Sequence, residues 1–406
     1  MKRLFLSSLA IAALLVASCS SDDDAPTTPP TTGPTLDGTI ASQDDDDLIV
    51  TDLKGNITGD ITLAASEAWV LTGSLTVKSG QTLTIEAGTT IKAKAGGTDV
   101  FLAVEQGAKI EAKGTAAAPI KFTSNAANPR PGDWGGIVIA GKTPTNKGAT
   151  AESEVAGLNY GGTDNADNSG TLTYVIAEYT GAKINGDQEF NGVSFYTVGT
   201  GTTINNIAVF NGADDGIEFF GGTVNVENVL CVNIKDDMFD GTEGYNGTLT
   251  NLFGVRENGF NDATEDPRGI EFDSNGSNNA ATPVSMPTFE KVTVLNLSEI
   301  TPLKSGAEIR RGTEATINNA FFGTVGSASF GNRVDTKDDK GNGTVTFTNA
   351  VQQGNVGDDK AGGTITGTFT TDNDAITVAT DGTISVKAGV GADFSKFAWT
   401  GYKLKN

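Results

Sequence analysis

A stretch of this chain can be laid over the stretch that follows it at a constant offset of 22 residues. Asn206-Ile207-Ala208-Val209-Phe210-Asn211-Gly212-Ala213-Asp214-Asp215 superposes on Asn228-Val229-Leu230-Cys231-Val232-Asn233-Ile234-Lys235-Asp236-Asp237. Asn251-Leu252-Phe253-Gly254-Val255 opens the next copy, and an insertion from Arg256 to Asp266 then delays Arg268-Gly269-Ile270-Glu271-Phe272. Phe289-Glu290-Lys291-Val292-Thr293-Val294 and Ala315-Thr316-Ile317-Asn318-Asn319-Ala320-Phe321-Phe322 repeat the pattern again. A period in the low twenties, with several short strands in each copy, is the mark of a solenoid coil. The leucine-rich alternative is excluded, because its Leu-x-x-Leu-x-Leu-x-x-Asn signature is missing.

Within the copies the apolar residues alternate with period 2. In Gly73-Ser74-Leu75-Thr76-Val77 and Gln81-Thr82-Leu83-Thr84-Ile85 each run ends at a turn after three to five residues, which reads as strand. Helical periodicity is confined to the amino terminus. Each coil is expected to bury an inward triangle of Val, Ile, Leu and Phe and to stack on its neighbour at about 4.8 Å. Asn at the corners tolerates left-handed dihedrals and can bond the Asn of the next coil. Cys231 falls in the column of Val209 and reads as a small core residue. Residues 48–68 are expected to cover the first coil, and the aromatic Asp393-Phe394-Ser395-Lys396-Phe397-Ala398-Trp399-Thr400 the last.

Lys2 and Arg3 precede an uncharged apolar run from Leu4 to Ser18 that is too short to span a bilayer. It closes on Leu15-Val16-Ala17-Ser18-Cys19, which resembles a bacterial lipobox and implies lipidation at Cys19. Residues 1–18 are thus expected to be a lipoprotein signal peptide. Residues 19–47 read as an acidic, Pro/Thr-rich tether carrying Asp22 to Asp24 and the solvated run Asp44 to Asp47. Residues 48–406 form the solenoid. Acids directly after the lipidated Cys resemble the surface-export signal of Bacteroidota lipoproteins. The expected location is therefore the outer membrane, lipid-anchored and exposed on the cell surface.

Three segments together resemble a family of Bacteroidota secreted and lipid-anchored proteins: Trp69-Val70-Leu71-Thr72-Gly73, Gly132-Asp133-Trp134-Gly135-Gly136-Ile137-Val138-Ile139 and Asp214-Asp215-Gly216-Ile217-Glu218-Phe219-Phe220-Gly221-Gly222. That family is similar to the pectin-lyase-like superfamily, and the likeness covers roughly residues 60 to 400. It implies an all-β, single-stranded right-handed parallel β-helix. It implies function poorly, because this fold hosts lyases, hydrolases and adhesins alike.

Aligning Gly192-Val193-Ser194-Phe195, Gly216-Ile217-Glu218-Phe219, Met238-Phe239-Asp240-Gly241 and Gly269-Ile270-Glu271-Phe272 places Ser194, Glu218, Asp240 and Glu271 in one outward column, which Glu308 extends. Asp214, Asp215, Asp236 and Asp237 run beside it, and Arg268, Arg310 and Arg311 fall in or next to the strip. Stacked carboxylates repel unless protons, arginines or a metal compensate. Three readings are open. The first is a solvated acidic face whose turn Asp side chains cap backbone amides. The second is a calcium site built from Asp214, Asp215, Asp236, Asp237 and Asp240 with help from turn carbonyls. The third is catalysis on polysaccharide by Asp215, Asp237, Arg268 and Arg310, as a calcium-assisted lyase or a glycosidase.

The chain contains no histidine, so Ser-His-Asp and Cys-His chemistry and His-ligated metals are excluded. Polygalacturonase-like hydrolases also need a His in a Gly-His-Gly context and an Arg-x-Lys, and both are missing. A net charge of -22 excludes nucleic acid as an electrostatic partner. The expected role is a binding or adhesion module for a glycan or another envelope protein, membrane-held through its amino terminus. Trp134, Glu218 and Glu271 are the glycan-contact candidates.

Overall fold

In the structure, a computed structural model describing residues 38–185 and 188–406, sequence alternation becomes alternation between core and outside. Trp69–Val77 buries Trp69, Leu71, Leu75 and Val77 and turns Val70, Thr72, Ser74 and Thr76 outward. Each strand of the solenoid then pairs in parallel with the strand one coil on, and among the described residues 27 strands join one continuous sheet. The chain folds as the all-β, right-handed parallel β-helix expected. Cys231 is fully buried in register with Val209. The corner asparagines take left-handed dihedrals, with φ of 55° at Asn206, 57° at Asn228 and 59° at Asn251, where Asn tolerates the strain better than other L-residues. Asn251 Nδ2 donates to Asn228 Oδ1 at 2.9 Å, one coil back.

The register sorts the outward residues into three columns of different chemistry. One runs from Val138 through Ser194, Glu218, Asp240, Glu271 and Glu308 to Asp335. This is the acidic column read from the sequence, extended by one rung. A second is mainly apolar, with Ile176, Ala208, Leu230 and Phe253 in register, then Thr293, then Phe321. A third is threonine at nearly every rung: Thr62, Thr84, Thr171 and Thr203 in the first half, then Thr248, Thr288, Thr316, Thr346 and Thr366. Glu111 and Asn225 are its two exceptions.

The ends differ from expectation. Leu53–Ile57 and Ile61–Leu63 belong to the stack, and Thr39–Ile40 pairs beyond them. The first coil thus begins inside the stretch read as tether, and residues 48–68 are coil rather than cover. Asp45, in the acidic run, accepts the N–H groups of Ala41 and Asp47 and so shapes a turn. The aromatic carboxy-terminal segment does not close the last coil. It doubles back along the side of the solenoid, where Asp393 and Asn251 exchange bonds and Phe394 and Phe397 lie against Phe253. The reason is the apolar column, which needs cover along its whole length.

Candidate functional site

The glycine that precedes most of these strands (Gly192, Gly216, Gly269 and Gly306, with Met238 as the exception) is a packing requirement. A Cβ at Gly216 would lie 2.6 Å from both Cys231 Sγ and the Met238 carbonyl oxygen. Close stacking there sets Glu218, Asp240 and Glu271 on consecutive rungs.

Over this column fold two insertions, residues 141–169 and residues 274–287. Asn146 of the first donates to the carbonyls of Ser274 and Pro283 in the second, at 2.6 and 3.0 Å. They leave a cleft of about 580 Å³ bordered by Lys147, Phe220, Glu243 and Asp273. A second cleft of about 380 Å³ lies toward Glu154, Asp214 and Asp236. Glu218, Asp240 and Glu271 line both.

The acids divide into two populations. Arg268 ion-pairs with Asp237, Asp266, Glu271 and Glu308. Arg310 pairs with Glu271, Asp273 and Glu308, and Arg311 with Asp273 and Asp338. By contrast, among the described residues Asp214, Asp215, Glu218, Asp236 and Asp240 have no Lys or Arg ion-pair partner. Oxygens of Asp214, Asp215 and Asp236 come within 4.8 Å of one another, as do those of Asp215, Glu218 and Asp240, and of Asp237, Asp240 and Glu271.

Burial and mutual repulsion hold this second population away from ionisation. Burial, with Asp214 and Asp240 nearby, pushes Asp215 well above the carboxylate range. Burial, then Asp236, does the same to Asp214. Asp240 is raised to about 8 by burial and Asp237, and Asp236 to about 6 by burial and Asp237. Glu218 is raised well above the carboxylate range by burial and by Asp240.

Several of these acids also hold the backbone. Asn191 Oδ1 accepts the N–H of Asp215 at 3.2 Å, Asp215 Oδ1 that of Asp237 at 2.9 Å, and Asp237 Oδ1 that of Arg268 at 2.6 Å. The turn-capping reading therefore holds for Asp215 and Asp237, and it leaves Asp215 Oδ2 unengaged by that ladder. The turn carbonyls do not face the acids as the calcium reading assumes. Those of Ile234, Lys235 and Asp236 accept from the guanidinium of the fully buried Arg256. The donor set still suits a hard cation, since it consists of clustered carboxylate oxygens. Asp214, Asp215, Asp236, Glu218 and Asp240 are the residues that would hold it.

Arg268 is no proton acceptor: burial opposes its charge, but Asp237 and Glu308 more than restore it and hold it above the usual range. Arg310 is lowered to about 10 by burial and by Arg268 and Arg311, so it too stays charged at neutral pH. Trp134 is not a sugar platform. It is fully buried, donates from Nε1 to the Glu178 carbonyl at 2.8 Å and stacks on Phe122, because the glycines beside it let the next coil close over the ring.

Sequence reasoning misses Glu243, Glu154 and Arg256. Glu243 sits at φ 59° on the corner after the acidic strand, where Gly221 stands one coil earlier. Its carboxylate accepts from Tyr160 at 2.7 Å and Thr145 at 3.1 Å and pairs with Lys147 at 2.6 Å. Glu154, from the first insertion, is raised to about 7 by burial and by Glu243, against Lys147. An acidic residue at the corner where Gly221 stands one coil earlier is the one available signal for Glu243.

No curated protein and no solved structure matches the chain. Residues 55–401 match the model of the pectate-lyase-like β-helix domain, which spans the acidic column, both insertions and the doubled-back segment, and the chain belongs to that family.

Proposed function

We propose that this protein is a lipid-anchored, surface-displayed binding module of the Bacteroidota lipoprotein type, whose acidic groove takes up a glycan with calcium as the bridging cation. One contrast carries the reading. The arginines of the groove are committed to ion pairs, while among the described residues Asp214, Asp215, Glu218, Asp236 and Asp240 have none. A groove of that kind accepts hydroxyl groups and cations and repels anions. Calcium, with its six to eight oxygen ligands, would leave positions open for sugar hydroxyls after the carboxylates bind. Cys19 and the signal peptide lie outside the described residues, and anchoring rests on the lipobox alone.

The test uses residues 37–406, which form a compact unit. Binding to a glycan panel is measured by calorimetry in calcium and in chelator, for the natural chain and for Asp215→Asn with Asp240→Asn. Binding that needs calcium and vanishes in the variant supports the proposal. Binding unaffected by chelator removes the cation from it.

A second reading, a polysaccharide-degrading enzyme, is favoured by the Glu218 and Asp240 pair, because a buried carboxyl held above its usual range beside another carboxyl is what a general acid needs. Release of reducing ends, or of an unsaturated product absorbing in the ultraviolet, would establish it in place of binding alone.

A further inference from the structure

Two positions beyond the acidic column, on the same strands, aromatic rings stand outward. Tyr196 pairs in register with Phe220, and the two rings stack at 4.1 Å with 5° between their planes. Val193, Phe195, Ile217 and Phe219 fill the interior of the coils, so strand alternation turns Tyr196 and Phe220 out into a separate cluster. Part of the first insertion lies over them, with Val155, Leu158 and Tyr160 packed in the same cluster. Phe220 also borders the larger cleft, beside Glu218 and Asp240.

Two observations set this cover apart from ordinary core. Tyr196 is 1% exposed, yet among the described residues its hydroxyl has no hydrogen-bond partner. Burial, with the charges of Glu154 and Glu218 nearby, holds the phenol well above its usual range, so the hydroxyl end lies toward the groove acids. A hydroxyl buried without a partner destabilises the covered form.

The second observation is how the cover is built. Ala151–Glu152 pairs antiparallel with Asn159–Tyr160. The Ser153 N–H donates to the Leu158 carbonyl and the Leu158 N–H to Ser153 Oγ, each at 2.8 Å, so the hairpin holds together as one unit. Gly148 and Gly161 stand at its two feet with φ of 145° and 99°, backbone that glycine adopts freely. Its ties to the rest of the chain include Tyr160 Oη to the Glu243 carboxylate and Gln188 Nε2 to the Glu154 carbonyl, both at 2.7 Å.

Sites for small ligands combine apolar and aromatic surface with a few convergent polar groups. Tyr196 and Phe220 supply the surface; Glu218, Asp240 and the unpaired hydroxyl supply the polar groups. A pyranose ring suits both, with its C–H face on the rings and its hydroxyls toward the acids, and it would give Tyr196 the partner it lacks. We propose that Tyr196 and Phe220 form a sugar-stacking floor of the groove, and that the hairpin 149–160 lifts as a lid to admit the sugar. This floor rests on the glycan reading of the groove and deepens it.

The experiment combines hydrogen exchange of residues 37–406 with calorimetric binding of soluble oligosaccharides of glucose, mannose, galactose and N-acetylglucosamine, in calcium. Amides of residues 151–160 should exchange at least about tenfold faster than those of Ile137–Ala140 in the stack. Tyr160→Phe removes the tie to Glu243, which Thr145 and Lys147 still hold. Exchange should be faster again in that variant and sugar binding a few-fold tighter, because a closed lid lowers apparent affinity. Phe220→Leu should weaken binding about tenfold. Tyr196→Phe should weaken it a few-fold while its melting temperature stays level or rises, since the unpaired hydroxyl is gone. A ring with a merely structural role would not give those opposite signs. Sugar binding unchanged in Phe220→Leu and in Tyr196→Phe overturns the floor and leaves the glycan reading standing. Amides 151–160 protected as strongly as the stack, in the natural chain and in Tyr160→Phe alike, overturn the lid. Failure of every sugar to bind either the natural chain or Tyr160→Phe overturns the glycan reading and the floor with it.

Discussion

Asp215 Oδ1 accepts the backbone N–H of Asp237, one coil on, at 2.9 Å. The same carboxylate lies in two of the oxygen clusters, with Asp214 and Asp236 and with Glu218 and Asp240. One side chain therefore closes the stack and adds a further ionisable group to the groove. The two roles separate by substitution. Asp215→Asn keeps an acceptor and drops the charge, so in chelator its melting temperature should match or exceed that of the natural chain. Asp215→Ala loses the cap and should cost about 1 kcal/mol. Equal melting of the two variants would show that the cap contributes nothing.

The unpaired acids make stability depend on pH in a defined direction. Burial lifts Asp240 to about 8, Glu154 to about 7 and Asp236 to about 6, against about 4 in an unfolded chain. Groups raised in the folded state favour folding fully below about pH 4, and that contribution is lost as pH rises through about 6 to 8. In chelator, the melting temperature should fall by several degrees between pH 5 and pH 8.5. Calcium should restore it at pH 8.5 and change little at pH 5, where protons already neutralise the cluster. A flat profile in scanning calorimetry would mean that the acids splay apart in solution.

Arg310 offers the converse case. It bonds Asp273 at 2.7 Å through Nε and Glu308 at 2.7 Å through Nη1, and also contacts Glu271. Removing it leaves Glu271 and Glu308 to share Arg268 and leaves Asp273 with Arg311, so that the buried cluster carries excess negative charge. Arg310→Ala should destabilise by about 3–5 kcal/mol, since breaking a buried pair leaves an uncompensated charge. Arg310→Lys keeps the charge without the planar fork and should lose less. Urea unfolding at pH 7 measures both; a loss below 1 kcal/mol in the alanine variant would place this cluster among solvated surface pairs.

The acidic column is legible in the sequence because two simple periods fix it. Strand alternation puts Glu218 opposite Ile217 and Phe219, and the coil offset puts it under Asp240. What lies outside those periods is not legible. Glu154 and Glu243 reach the groove from an insertion and a corner, where no repeat predicts direction. Arg256 is in register with Asn296, yet its long stem carries the guanidinium back to the carbonyls of residues 234–236. Trp134 beside glycines suggests exposure, while those glycines are what allow its burial. The covering of Phe253 by Phe394 and Phe397 depends on contacts between residues some 140 positions apart, which leave no local trace.

That covering segment gives the last prediction. Phe397 is buried against Phe253, Trp399 meets Tyr174 edge-on at 5.3 Å, and Tyr402 donates to Glu257 at 3.0 Å. These contacts are made by the segment on the side of a solenoid whose parallel ladder does not run through it. Weakening them should therefore release the segment before the coils unfold. Phe397→Ala removes a buried ring, a change worth about 3–5 kcal/mol in a core. Limited proteolysis should then cut between residues 372 and 406 much faster than in the natural chain, leaving a resistant fragment that holds its circular dichroism and binds an apolar dye at the uncovered column. Cleavage that instead degrades the whole chain at one rate would show that the segment and the coils fold as a single cooperative unit.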